Sequence, residues 1–196
     1  TENKALGDSV GAIAGFAGGD SCTITNCHVL SGKINGFDAT AGIIGRVHTK
    51  TAGEKTATTV ISDCSNAATI TSSRRAAGIL GDTNIDLNGV SIKNCENKAS
   101  VTCLNNEAAL GILEDMTTGT NPTDRNKNGG YHQAAGIANS NGVKSIDTEK
   151  FAGNTNSGSV TLSNTTVVKA RAGAIFTFGD GRVSNDGKDI VTPQNP

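Results

Sequence analysis

The sequence predicts an all-β protein, a parallel β-helix in which short strands from successive repeats stack on one another. Two kinds of repeated segment and a turn-rich composition support this prediction. Of the 196 residues, 25 are Gly, aromatic residues make up 3%, and Trp is absent. Because the large side chains that usually fill a globular core are scarce, the stacking of short strands must replace bulk packing.

The first repeated segment carries a cysteine or an asparagine at a fixed place. Its four copies are ITNCHVLSGKI (24–34), ISDCSNAATIT (61–71), IKNCENKASVT (92–102) and FAGNTNSGSVT (151–161). The residue at the fixed place is, in that order, Cys27, Cys64, Cys95 or Asn154. In three copies an asparagine follows two residues later, at Asn66, Asn97 and Asn156. Asparagines at one corner of successive coils can bond to the coils above and below, so together with the cysteines they form the predicted structural ladder.

The second repeated segment consists of small residues around a central Ile or Ala. Its six copies are GAIAG (11–15), AGIIG (41–45), AGILG (77–81), LGILE (110–114), AGIAN (135–139) and AGAIF (172–176). Their central residues are 25 to 37 residues apart, and a period of this size indicates a solenoid, a propeller or an array. The segments lack a helical period, and a propeller blade needs four strands with hairpin turns. About six irregular coils of a parallel β-helix are therefore predicted.

These segments resemble the repeats of a known family. AGIIG and AGILG, followed by ISDCSNAATIT and IKNCENKASVT, are similar to the Gly-Ile and Asn-Cys-x-Asn repeats of GLUG-type proteins from bacterial surfaces, especially those of Bacteroidetes. The resemblance covers roughly residues 9–180, except that 113–134 contains no Cys-x-Asn segment. It implies a right-handed, single-stranded parallel β-helix, a pectin-lyase-like solenoid. It also implies a secreted or surface-anchored structural or binding module, and it supplies no catalytic residues.

The chain is predicted to be one domain with a single long interruption. The expected organisation is a β-helix domain over 1–196, with a lead-in at 1–8, an irregular coil or loop at 113–134 and a tail or cap at 181–196. Loops held by a rigid solenoid often carry binding function, although a disordered excursion explains the same composition. The candidate binding residues in this loop are Asp115, Asp124, Arg125 and Tyr131.

The cysteine ladder is interpreted as structural. In a β-helix, Cys27, Cys64 and Cys95 would stack inward about 4.8 Å apart. Free buried thiols are favoured, because ladder side chains run parallel and five cysteines cannot all pair. A disulfide and a metal site remain alternatives, although no C-x-x-C pair or histidine stands at ligand spacing. Asn154 indicates that the position needs a small side chain rather than sulfur chemistry, so no metal or cofactor is expected.

The charge pattern narrows the choice of partner. The formal net charge is −1, with Lys and Arg scattered through the chain, so a nucleic-acid partner is not expected. No apolar run approaches the roughly 20 residues of a membrane span. The N-terminal TENKALGDSV lacks the apolar stretch of a signal peptide, so an exported protein of this sequence would already have lost its targeting segment. The expected partner is a protein or glycan surface, reached after secretion or at the cell surface.

The predicted function is a non-catalytic interaction module, meaning an adhesin, stalk or scaffold segment. The rival is a carbohydrate-active enzyme or glycan-binding domain of pectate-lyase-like fold, in which acidic and basic residues from successive coils share one face. Its candidate residues are Asp63, Asp82 and Glu114 with Arg46, Arg74 or Arg75. Asp63 aligns with Asn26 and Asn94 in neighbouring copies, which indicates a solvated polar stripe. With no Trp and one Tyr, the chain offers little of the aromatic surface that sugar sites present.

The histidines add no catalytic motif. His28, His48 and His132 each stand alone in the sequence, without a Ser or Cys nucleophile in a recognisable arrangement. They are expected at the surface or rim of the fold.

Overall fold

The computed structural model describes residues 9–18, 21–48, 58–83, 89–104, 132–140, 147–163, 170–178 and 183–187. These residues form 22 short strands in five sheets, which we label A to E, and no α-helix. All strand pairs among them are parallel except one. The protein is thus all-β with parallel sheets, and its described part holds no helix long and apolar enough to cross a membrane.

The chain runs through the five sheets in a recurring order, and we call each run from sheet A towards sheet E a pass. The first pass places one strand in each of sheets A to E: β1 (Val10–Gly11), β2 (Ala14–Gly18), β3 (Ser21–Thr25), β4 (His28–Val29) and β5 (Lys33–Gly36). The second pass repeats the order with β6 (Thr40–Ala41), β7 (Ile44–His48), β8 (Thr58–Ser62), β9 (Ser65–Asn66) and β10 (Thr69–Ser72). The third does so with β11 (Arg75–Ala77), β12 (Leu80–Thr83), β13 (Val90–Lys93), β14 (Glu96–Asn97) and β15 (Val101–Cys103).

The last two passes are shorter. The fourth supplies sheets A, B, D and E with β16 (His132–Ala135), β17 (Ala138–Ser140), β18 (Thr155–Asn156) and β19 (Val160–Leu162). The fifth supplies sheets A and B with β20 (Ala170–Gly173) and β21 (Phe176–Phe178). Strand β22 (Val183–Ser184), within the predicted tail or cap, pairs antiparallel with β21 at the edge of sheet B.

Residues at equal positions of the repeated segments pair with each other. In sheet C, Ile24 pairs with Ile61, which pairs with Ile92 on its other side. In sheet E the row is Ile34, Ile70, Val101 and Val160. The middle members of both rows are at most 1% exposed. Burying such a side chain fully contributes about 1.5–3 kcal/mol, so the stacked apolar rows hold successive passes together.

The number of passes through sheet A differs from the predicted six. Strand β11 pairs directly with β16, so no strand lies between them, and the described residues contribute five strands to this sheet. The copy of the second repeated segment at 110–114, here called a block like the other five copies, lies outside the described residues. Its first residue, Leu110, is larger than the alanines at that place in neighbouring blocks. Ala41, Ala77 and Ala135 form a fully buried cluster, and a row this closely packed favours small side chains.

The last block is displaced by one residue from its predicted alignment. Ala135 pairs with Gly173 rather than with the first alanine of AGAIF. The residue equivalent to Ile137 is consequently Ile175, which is 6% exposed and belongs to the main core cluster. The register is determined by the burial of the large apolar side chain of Ile175, not by the similarity of AGAIF to the other copies, because the core favours a large apolar residue at the position of Ile137.

Several predicted features lie outside the described residues. These are the lead-in at 1–8, the loop candidates Asp115, Asp124, Arg125 and Tyr131, and Glu114 of the rival enzyme hypothesis. Of the predicted irregular segment 113–134, only residues 132–134 are described, and they belong to β16.

Candidate functional site: a buried arginine–aspartate cluster

The asparagines of the predicted ladder form a hydrogen-bonded row in sheet D. Asn66 donates from Nδ2 to Oδ1 of Asn97 at 2.8 Å, and Asn97 donates from Nδ2 to Oδ1 of Asn156 at 2.7 Å. Each Nδ2 also donates to the carbonyl oxygen two residues further along, as Asn97 does to Ala99 at 2.8 Å. Asn66 and Asn97 are fully buried. Because each amide bonds both its own pass and a neighbouring one, the row satisfies buried polar groups by repetition.

The glycines of the second repeated segment lie directly against this row. A Cβ atom added to Gly78 would lie 2.5 Å from Cγ of Asn97, and one added to Gly42 would lie 2.4 Å from Cγ of Asn66. Gly136 has the same relation to Asn156, at 2.4 Å. The two repeated segments of the sequence therefore meet in space, since a residue larger than glycine would displace the asparagine amide.

The cysteine position supplies a hydrogen-bond donor to the neighbouring pass. The Cys64 thiol donates to the carbonyl oxygens of Ser62 at 3.1 Å and Ile24 at 3.7 Å. The Cys95 thiol donates in the same way to Lys93 and, at 3.8 Å, to Ile61. In the fourth copy, Nδ2 of Asn154 donates to the carbonyl oxygen of Ile92 at 2.7 Å. Thiol and amide thus make equivalent contacts, which explains the substitution better than side-chain size alone.

All five cysteines of the chain are free. Cys64, Cys95 and Cys103 are buried, whereas Cys22 and Cys27 are half-buried. The expectation of three equally buried ladder thiols is therefore wrong for Cys27, because it lies in the first pass and has a neighbouring strand on one side only. Burial raises the pKa of the Cys95 thiol to about 12 and also raises that of Cys64, so both are protonated at neutral pH.

Asp63 occupies a corner that requires a left-handed backbone. Its φ is 54°, and the aligned residues Asn26 and Asn94 have φ values of 54° and 52°. In the fourth copy the same place holds Gly153, with φ 74°. Asn, Asp and Gly are the residues that tolerate this conformation, so backbone geometry accounts for the choice. The exposed Asp63 accepts a hydrogen bond from Nδ2 of Asn94 at 3.2 Å.

The three candidate arginines converge on Asp38, a residue that was not among the candidates from the sequence. Asp38 lies in the turn between β5 and β6, and Oδ1 accepts from the backbone N–H of Ala39 at 2.8 Å. Arg75 binds both carboxylate oxygens, with Nε donating to Oδ1 at 2.6 Å and Nη2 donating to Oδ2. Arg46 and Arg74 reach Oδ2 at 3.2 and 3.3 Å. One buried carboxylate therefore holds three guanidinium groups from neighbouring passes.

Asp82 is the second carboxylate of the cluster. Its Oδ2 forms ion pairs with Nη1 of Arg75 and, at 3.4 Å, with Nε of Arg46. Both carboxylate oxygens are buried without a hydrogen-bond partner. The cluster consists of Asp38, Arg46, Arg74, Arg75 and Asp82.

The two carboxylates experience opposite electrostatic environments. Burial acts to raise the pKa of Asp38, but Arg75, with Arg74 and Arg46, more than reverses this and holds it well below its usual range. Burial raises the pKa of Asp82 above its ordinary value, and the Asp38 charge adds to the rise against the opposing effect of Arg75. Asp38 is therefore the ionised anchor of the cluster, and Asp82 is the carboxylate that acid protonates first.

His132 lies beside the cluster rather than at the surface. Its side chain is 4% exposed because β16 has β11 on one side and β20 on the other, so the expectation of a surface or rim position is wrong here. Burial, followed by the charge of Arg74, lowers the pKa of His132 to about 4. Nδ1 has no hydrogen-bond partner. His28 is exposed and bonds to Ser65 and Asn26, whereas the side chain of His48 lies outside the described part.

The cluster has a sequence signal that becomes visible once the blocks are aligned on their first alanine. Three residues before that alanine stand Asp38, Arg74 and His132, and five residues after it stand Arg46, Asp82 and Ser140. All of these except Ser140 are ionisable, and ionisable residues at equal offsets in successive repeats predict a charged row. Chemically, the arrangement can store or release protons, but its carboxylates are enclosed by their own partners. Within the described part, His, Cys, Asp and Glu form no group of three that could hold a metal ion.

No protein-family model matches the chain, and neither a curated protein nor a solved structure matches it significantly. The resemblance to GLUG-type repeats consequently remains a prediction from the sequence.

Proposed function

We propose that the chain is a non-catalytic scaffold, a right-handed parallel β-helix of the GLUG type, in a secreted or cell-surface interaction module such as an adhesin or stalk. The observation that supports this most is the burial of the ionisable groups. The side chains of Asp38, Asp82 and Arg75 are 2%, 0% and 5% exposed. A general acid or base must come within hydrogen-bond reach of the proton it transfers, and these groups are enclosed by one another.

The strand order supports the scaffold half of the proposal. Each pass enters the sheets in the order A to E as far as it is described, and equal positions of successive passes pair in parallel. This is the order expected if each pass is one coil of a solenoid. The asparagine row and the cysteine contacts join neighbouring passes through buried hydrogen bonds. A framework of this kind holds its connecting segments in fixed places, where binding residues are commonly found.

The alternative is a carbohydrate-active enzyme or glycan-binding domain. One observation favours it: Asp82 and the three arginines named from the sequence do converge, with His132 beside them. Groups with strongly shifted pKa values gather at active sites as well as in structural ion-pair networks. Catalysis would require a polysaccharide to reach carboxylates that are now covered.

A screen on polysaccharides with matched variants distinguishes the two proposals. The wild-type protein is applied to a glycan array and incubated with anionic and neutral polysaccharides, and new chain ends are measured. We expect no turnover, whether or not a glycan is retained. Turnover that is lost in Asp82→Asn but kept in Asp63→Asn, with both variants folded by circular dichroism, would establish the enzyme instead.

A further inference from the structure

Three thiols lie in line across three neighbouring passes. Cys27, Cys64 and Cys95 directly precede strands β4, β9 and β14, which pair in this order, and we call them the cysteine row. Each thiol donates to the carbonyl oxygen two residues before it, as Cys64 does to Ser62 and Cys95 to Lys93. Because the three thiols repeat one arrangement, adjacent Sγ atoms are about 4.8 Å apart, the spacing of stacked strands.

The row lies in an apolar environment. Cys64 and Cys95 are buried members of the main core cluster, and the half-buried Cys27 packs against it. Burial raises the pKa of the Cys64 thiol, and Cys27 and Cys95 are the neighbours that act on it next. The central thiol of the row therefore lies between two others, one from each neighbouring pass.

The spacing of the row suits a bridging ion better than a disulfide. A disulfide requires sulfur atoms about 2 Å apart, so two thiols of the row would have to approach each other by more than half of their separation. An ion held in line between two thiolates, with metal–sulfur bonds of about 2.3 Å, joins sulfur atoms about 4.6 Å apart. This distance is close to the spacing of the stacked strands, so an ion can be held with little movement of the backbone.

The ligands and their surroundings determine the kind of ion. Thiolates favour soft metal ions, and two ligands in line do not suit zinc, which takes four ligands in a tetrahedron. An apolar core also penalises net charge. A divalent ion that replaces one proton on each of two thiols leaves the site neutral, whereas a monovalent ion would leave one negative charge. Mercury(II) is soft and divalent, and it binds two thiolates in line.

We propose that the cysteine row is a binding site for one soft divalent metal ion of linear coordination, held by Cys64 together with Cys27 or Cys95. Cys64 is the shared ligand because it has a thiol of the row on either side. The fourth copy ends the row, since Asn154 carries an amide, which is not a soft ligand. The site needs only two ligands, and it does not depend on the scaffold role proposed above.

Binding of mercury(II) to the full chain in an excess of free cysteine tests the proposal. Free cysteine removes ions that the protein holds through one thiol, so that an ion held by two stacked thiols is retained. Native mass spectrometry measures the result. We expect one ion per chain, with an added mass equal to that of the ion less two protons. Zinc(II) under the same conditions should not be retained.

Single cysteine variants locate the site. Cys64→Ser leaves Cys27 and Cys95 two passes apart, about 9.6 Å, which is too far for one ion to join. It should weaken retention at least about a hundredfold, because the second ligand no longer acts within the same site. Cys27→Ser and Cys95→Ser should each retain one ion, since either variant keeps a stacked pair. Cys22→Ser is the matched control, because Cys22 pairs with Thr59 rather than with a cysteine.

The proposal is overturned if the wild-type protein retains no ion, if Cys64→Ser retains it, or if Cys22→Ser loses it equally. Circular dichroism shows whether each variant is folded. Should Cys64→Ser fail to fold, alkylation of the unmodified protein decides, followed site by site by mass spectrometry. One equivalent of mercury(II) should then slow the labelling of Cys64 and of one neighbour in the row but not that of Cys22. An unchanged rate at Cys64 contradicts the site.

Discussion

The asparagine row and the arginine–aspartate cluster both join successive passes through buried polar side chains, but they do so by different means. In the row, one neutral residue type repeats at one position, and each amide bonds the next at 2.7–2.8 Å. In the cluster, three guanidinium groups outnumber two carboxylates, and both oxygens of Asp82 lack hydrogen-bond partners. The row is regular, and its amides are hydrogen-bonded to one another. The cluster is irregular, has an excess of positive charge and leaves the oxygens of Asp82 without hydrogen bonds.

This difference shows why a repeated neutral residue can be buried more readily than a repeated charged one. An amide carries a donor and an acceptor, so identical residues in a row complete one another without any charge. Charged residues need unlike partners, which a repeat of identical units cannot supply. The cluster must therefore recruit residues from several offsets, and it becomes sensitive to the loss of one member and to protons.

The largest effect is expected from removing the charge at the centre of the cluster. Asp38→Asn leaves Arg75 buried without its main counter-charge, which should lower the free energy of unfolding by about 3–5 kcal/mol. Asp63→Asn makes the same chemical change at an exposed corner where Asn occurs in neighbouring copies, so it should stay within about 0.5 kcal/mol of wild type. Urea denaturation measures both. Equal effects would mean that the cluster contributes no more than a surface charge.

A somewhat smaller effect is expected from interrupting the row. Asn97→Ala removes the partner of the Asn66 Nδ2 donor and of the Asn156 Oδ1 acceptor. Each buried polar group that loses its partner costs about 1–3 kcal/mol. We expect a loss of about 2–4 kcal/mol in a denaturant melt. Asn35→Ala, at an exposed position of β5, is the control and should change stability by less than about 0.5 kcal/mol. A loss below about 1 kcal/mol for Asn97→Ala would show that water replaces the row at little cost.

The two regions also differ in how far the sequence predicts them. Aligning like residues predicted the partners in sheets C, D and E, because each position keeps one chemical type, as Asn66 and Asn97 do. The glycine contacts with the row could not be predicted, since nothing in a linear pattern says that two segments more than ten residues apart meet in space. Four members of the cluster were candidates from the sequence, but Asp38 at its centre was missed because this position changes residue type between repeats. Asp38 has an arginine and then a histidine at its equivalent positions, so alignment by similarity conceals the relation.

The cluster, together with His132 beside it, should also make stability depend on pH in a range where the asparagine row does not. His132 has a folded-state pKa of about 4 against an ordinary value of 6.5, so the unfolded chain binds the proton first. Stability is then lost as the pH falls from about 6.5 through 4, by on the order of 2 kcal/mol. The low pKa of Asp38 adds a loss at still lower pH, while the raised pKa of Asp82 acts in the opposite direction.

The pH dependence can be assigned with two histidine variants. Denaturant melts at intervals between pH 7 and 4 should show a flatter curve for His132→Gln, because its titrating group is gone. His28→Gln is the matched control, because it makes the same change at an exposed ring that bonds Ser65 and Asn26 rather than at the cluster. A wild-type curve in His132→Gln would assign the acid sensitivity to the carboxylates instead.

The smallest effect separates two roles for the cysteine position, which forms a neutral row of its own. The Cys95 thiol donates to the carbonyl oxygens of Lys93 and Ile61, as the Asn154 amide does to the carbonyl oxygen of Ile92. If this donor matters, Cys95→Ser should retain more stability than Cys95→Ala by about 1 kcal/mol, the net value of one hydrogen bond. If the thiol is only an apolar filler, the order reverses, because serine then buries a hydroxyl without need. Urea melts of both variants under reducing conditions decide between the two. If the alanine variant is more stable, the asparagine row alone satisfies buried polar groups by repetition. If the serine variant is more stable, the cysteine row does so as well.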